Sequence, residues 1–240
     1  MKKILFALMI TVMLLSPVVL AKNEKQTEPL DKITFIHYRD GTKEAVGRDA
    51  DKITGGGSCY KLLGVKWSSL PIDYVVDASN SGNNNQNLVK DAINLSAKEW
   101  DVHTSRNLFG TSTTGSAADD GAAPDYINEY MFARLSNDGW IAVTTYWYTR
   151  YSRQVVDYDV TFNTYYGWFD CAKTACTSAN RGMDLQNIAT HETGHGLGLS
   201  DLYQKSCSAV TMYGYSWYGD IGKRTLAAPD ITGLRLIYGA

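Results

Sequence analysis

The chain is poor in charge, in histidine, in cysteine and in long apolar runs. Charged residues make up 20% of its 240 residues and the net charge is −2. So weak a field gives no electrostatic case for binding nucleic acid or an anionic membrane surface. The apolar run Ile4 to Leu15 is short for a bilayer crossing, which takes about 20 apolar residues. Lys2 and Lys3 precede it, Pro17 breaks it, and Val19-Leu20-Ala21 follows as a small-residue cleavage pattern. Residues 1–21 therefore read as a secretory signal peptide rather than an anchor. The residue directly after Ala21 is Lys22 and not cysteine, which argues against lipid attachment there. A secreted protein with no stable membrane association after signal cleavage is expected. No internal repeat is visible.

Hydrophobic content is 44%, enough for one sizeable core, and 16 tyrosines argue against disorder. Export makes the 4 cysteines readable as disulfides. Four cysteines allow three pairings. The expected one joins Cys171 to Cys176 across a short loop and Cys59 to Cys207 across the core. Sequence alone leaves that choice open.

Residues 22–57 read as a propeptide or N-terminal extension outside the core. Within them Ile33 to Tyr38 is rich in β-branched and aromatic residues and reads as a short strand, with an Asp40-Gly41 turn after it. The core, residues 58–240, starts near Cys59. Leu70 to Val76 alternates as a strand, and Leu88 to Val102 has helical spacing. Gly110 to Pro124 reads as a loop. Tyr126 to Leu135, Trp140 to Thr149 and Val155 to Thr164 read as strands, and a last helix begins near Ala228. That order describes an α+β fold, a twisted mixed sheet backed by helices.

The chemistry concentrates in Asp184 to Asp201, which contains His191-Glu192-x-x-His195. Histidines four apart on a helix lie on one face, about a turn from each other, so both imidazoles can reach one metal ion. Glu192 can point at a water on that metal. Gly198 lets the chain turn back, and Asp201 can return a third ligand. Two solvated histidines on an ordinary helix are the bland alternative, and chance gives this motif only about once in a hundred such chains.

These features, with others, resemble a metzincin, and specifically a secreted matrixin-like protease. Lys66-Trp67 followed by Ile72 to Asp77 resembles the start of a matrixin catalytic domain. Ala92 to Trp100 resembles its first helix, Tyr158 to Asn163 one of its strands near the cleft, and Pro229 to Gly239 its last helix. Val210 to Tyr215 resembles the Met-turn, with Met212 under the metal. The resemblance implies a zincin-like fold with the zinc helix facing the cleft. It implies one catalytic Zn2+ on His191, His195 and Asp201. The third histidine usual in the family is here Asp201. The propeptide cysteine motif and the histidine-lined structural zinc site of many matrixins have no counterpart. A lone Cys59 capping the zinc is less expected than a disulfide.

The implied function is that of a secreted zinc endopeptidase acting on proteins or peptides, with Glu192 as general base. A catalytically inactive metzincin-fold binding protein is the alternative, and a retained Glu192 argues against it. Tyr213 and Tyr215 are candidates for the substrate pocket, and Trp140 to Thr149 could pair with extended substrate. The acidic loop Asp119, Asp120 and Asp125 offers oxygen ligands that suit Ca2+, against the competing reading of a solvated loop. His103 is expected at the surface and His37 to have no catalytic role. A monomer is expected.

Overall fold

The computed structural model describes residues 28–41, 56–57, 59–83, 85–117 and 122–240. The signal-peptide reading and Asp119 and Asp120 fall outside them. The described strands in chain order are β1 (Leu30–Arg39), β2 (Gly56–Gly57), β3 (Tyr60–Lys61), β4 (Lys66–Trp67), β5 (Ile72–Val76) and β6 (Phe109–Thr114). They continue with β7 (Asn128–Ala133), β8 (Trp140–Thr149), β9 (Gln154–Asn163), β10 (Gly167–Phe169), β11 (Gly182–Asp184) and β12 (Tyr215–Ser216). The helices are α1 (Gln86–Asp101), α2 (Leu185–Gly196) and α3 (Ala228–Tyr238).

Eight strands form one mixed sheet in the order β12-β1-β8-β9-β7-β5-β6, with β4 also pairing β9. Strands β5, β6, β7 and β9 are mutually parallel neighbours, while β8 runs antiparallel to β9. Burial of β7 and β9 is nearly continuous, the pattern of inner strands covered on both faces. Helix α1 turns Val89, Ile93, Ala97 and Trp100 inward at helical spacing, and Asn85 caps it by accepting from the Leu88 amide. The Trp100 indole donates to Thr190 O at 2.8 Å, which docks α1 on α2.

Two parts of the sheet differ from the sequence reading. Thr-rich β6 lies inside the stretch Gly110 to Pro124, which reads as a loop because its apolar side is nearly missing: only Phe109 is buried. Strand β1 is the larger difference. It lies between β8 and β12, and its Ile33 and Phe35 join the hydrophobic core. The sheet thus includes residues that composition sets outside the core. Disulfides join Cys59 to Cys207 and Cys171 to Cys176, so Cys59 is not available to a metal. No described helix is long and apolar enough to cross a membrane.

Candidate metal centre

Helix α2 begins at Asp184, whose side chain accepts from the Asn187 amide at 2.8 Å. Arg224 donates from Nε to Asp184 Oδ1 at 2.8 Å and from Nη2 to Asp170 Oδ1 at 2.6 Å, which anchors that helix start. Along α2, His191, Glu192 and His195 are all buried. The chain leaves the helix through Gly198 at φ 97°, where an added Cβ would meet Val65 O at 2.7 Å. That turn brings Asp201 back beside the two histidines.

His191 Nδ1 lies 2.7 Å from Thr211 O, and His195 Nδ1 lies 2.9 Å from Leu199 O. A carbonyl only accepts, so each imidazole carries its proton on Nδ1 and turns a bare Nε2 inward. The two Nε2 atoms are 3.1 Å apart, and Asp201 Oδ1 lies 3.1 Å from one and 3.5 Å from the other. Asp201 Oδ1 is buried without a hydrogen bond, while Tyr203 OH donates to Oδ2 at 3.0 Å. Three acceptors facing one another in a buried place repel unless a cation sits among them. Tetrahedral zinc with bonds near 2.0–2.1 Å separates its ligands by about 3.3 Å, so these residues fit that ion.

Electrostatics agree with a cation-seeking site. Burial brings His191 down to about 4, which keeps it neutral. At His195 burial pulls the same way, but the nearby Asp201 charge outweighs it and raises its pKa. Burial works to raise Asp201, and the two histidines more than reverse it. Met212 is buried below α2, close enough that a Cβ on Gly194 would meet its sulfur at 2.4 Å. The Thr211 and Met212 amides donate to Asp230 at the start of α3, which fixes this turn.

Glu192 sits beside the cluster. Burial pushes its carboxyl up to about 7. Its Oε2 accepts from Thr144 Oγ1 at 2.6 Å, and its Oε1 lies 3.0 Å from His37 Nδ1. His37, expected to have no catalytic role, is nevertheless placed at this centre by the fold. It is buried, its ring is 3.9 Å from the His191 ring, and it is grouped with His191 and Glu192 as a second possible ligand set. Phe35 stacks on His195 at 4.0 Å between ring centres. Strand β1 therefore lies directly over the metal-ligand set. The spacing Phe35-x-His37 was the available signal, since period two puts both on one face.

Lys223 has no such signal. It sits in a polar Gly-Lys-Arg stretch, yet it is buried, and burial lowers its ammonium to about 8. Its Nζ donates to Tyr213 O, to Tyr215 O at 2.7 Å, and lies 3.0 Å from His37 Nε2. The rings of Tyr213 and Tyr215 are 5.6 Å apart, and Tyr215 pairs with Tyr38 in the sheet, so both border β1. His103 is half-buried and bonded to Glu99, away from the centre. Asp125 Oδ1 accepts the Ile127 amide at 2.8 Å.

Comparison with known proteins agrees with this geometry. Over 72 residues, 30% of this chain, the sequence is 35% identical to the hatching enzyme of Paracentrotus lividus. That match spans 12% of that enzyme, so the similarity is to a small part of it. The matrixin family model matches residues 66–239, from β4 to the end of α3. The chain belongs to the matrixin family of zinc metalloproteases.

Proposed function

We propose that the protein is a secreted zinc endopeptidase that hydrolyses peptide bonds. The observation that carries this is the set of three inward-facing acceptors on His191, His195 and Asp201, with Glu192 alongside. These residues would hold Zn2+, which supplies a Lewis acid and an acidified water. The chain's own residues do the rest. Glu192 accepts the proton of the attacking water and passes it to the leaving amine. Thr144 orients that carboxylate, and the backbone carbonyls of Thr211 and Leu199 hold the imidazole tautomers.

Residues 22–57 fit a propeptide, because β1 within them covers Glu192 and His195. Secretion is supported by the two disulfides and by the signal-like start. Protein or peptide substrates are proposed as partners of a monomer. Calcium at the loop containing Asp119, Asp120 and Asp125 is a separate proposal, read by the melting temperature of chelated, zinc-reloaded protein with and without Ca2+. The main test is casein cleavage after processing between residues 41 and 56. Wild type should cleave, and Glu192→Ala should not while still binding zinc. A processed wild type that binds zinc and leaves casein and gelatin intact would support the binding-protein alternative.

A further inference from the structure

Strand β1 pairs antiparallel with β8 on one side and parallel with β12 on the other. The Tyr38 amide donates to Gly214 O at 3.1 Å and the Asp40 amide to Ser216 O at 2.8 Å. Remove β1 and two facing strand edges remain, with the metal-ligand set between them. An extended peptide that runs as β1 runs satisfies both edges. Near the C-terminal end of β1, His37 has one side-chain nitrogen on Glu192 and the other on Lys223. The Lys223 ammonium only donates, so Nε2 accepts and Nδ1–H donates to Glu192 Oε1. Leu, Met or Val there would leave the buried Lys223 without its third acceptor, and Asp or Glu would face Glu192.

We propose that β1 occupies the track a substrate peptide uses, and that Lys223 and Glu192 together read the side chain at the position of His37. The residues they select both accept and donate a hydrogen bond: histidine, glutamine and asparagine. Lys223 is then a specificity-determining residue, and the intact chain is occupied by its own strand. This rests on the proteolytic reading for the word substrate, and its test uses binding rather than turnover.

A protease site is placed between residues 42 and 55 of the full chain, which is loaded with Zn2+ and nicked. A fluorescent peptide of residues 28–41 is then displaced by analogues changed at position 37. On unmutated protein the Gln and Asn analogues should bind within about threefold of His, and the Leu and Glu analogues at least about tenfold more weakly. In Lys223→Met the gap between His and Leu should shrink to about twofold. A Leu analogue that binds as well as His overturns the proposal, as does the failure of every analogue to bind. Lys223→Met also loses its contacts to Tyr213 O and Tyr215 O, and if it does not fold the unmutated protein alone decides. The stated ranking without casein cleavage would refute only the proteolytic reading. Casein cleavage with a flat ranking would refute only this one.

Discussion

At the residue scale the site depends on where protons sit. Thr211 O and Leu199 O take the Nδ1 protons of His191 and His195, so two bare Nε2 atoms and Asp201 Oδ1 share one small volume. Asp201→Ala removes the anionic member. Zinc affinity should fall at least about 100-fold, since even outer-shell changes cost 10–100-fold; a competitive zinc-indicator titration measures it. Unchanged affinity would mean another residue completes the set. Zinc stabilisation should also depend on pH. Burial raises Glu192 from 4.5 to about 7, so between those values the metal-free native chain holds more protons than the unfolded one. The Glu192 contribution to stability therefore falls as pH rises through that window, while His191 and His37, kept neutral by burial, contribute the opposite slope. Zinc offsets the charged carboxylate and needs deprotonated ligands, so the melting-temperature gain on adding zinc should be larger at pH 8 than at pH 5. Equal gains in a thermal-shift assay would contradict this. His191 and His195 were legible because a helix turns four-residue spacing into a face, Glu192 by its place beside His191, and Asp201 because Gly198 lets the chain turn back. His37 and Lys223 were not, since they come from opposite ends of the chain and meet only through the sheet.

At the element scale, α2 is shaped by what lies beneath it. Gly194 and Gly196 are poor helix formers, but a Cβ on Gly194 would meet Met212 sulfur at 2.4 Å and Trp100 Cζ2 at 2.7 Å. At Gly196 it would meet the Tyr158 ring at 2.9 Å. Propensity alone favours Gly194→Ala by about 1 kcal/mol. Overpacking predicts the opposite, a loss of about 1–3 kcal/mol in urea unfolding. A more stable variant would show that Met212 and Trp100 yield easily. The element types of α1, β5 and α3 could be read from periodicity, and β8 and β9, buried almost throughout, from their β-branched and aromatic content. Strand β6 could not, since of its residues only Phe109 is buried and Gly, Thr and Ser fill the rest.

At the scale of the whole molecule, β1 decides whether the cleft is open. Composition gave no reason to put Leu30–Arg39 inside the sheet, because its partners β8 and β12 lie more than 100 residues away. Intact zinc-loaded chain should cleave a peptide substrate at least about tenfold more slowly than chain nicked between residues 41 and 56, since Phe35 and His37 cover His195 and Glu192. Equal rates would mean that β1 leaves without being cut. Hydrolysis itself is tested most directly by digesting casein in H2 18O with nicked, zinc-loaded protein and sequencing the products by mass spectrometry. Wild type should give new C-termini carrying a single 18O, and Glu192→Gln with zinc bound should give none. Wild type with zinc bound, β1 released and no labelled C-termini would contradict a zinc endopeptidase.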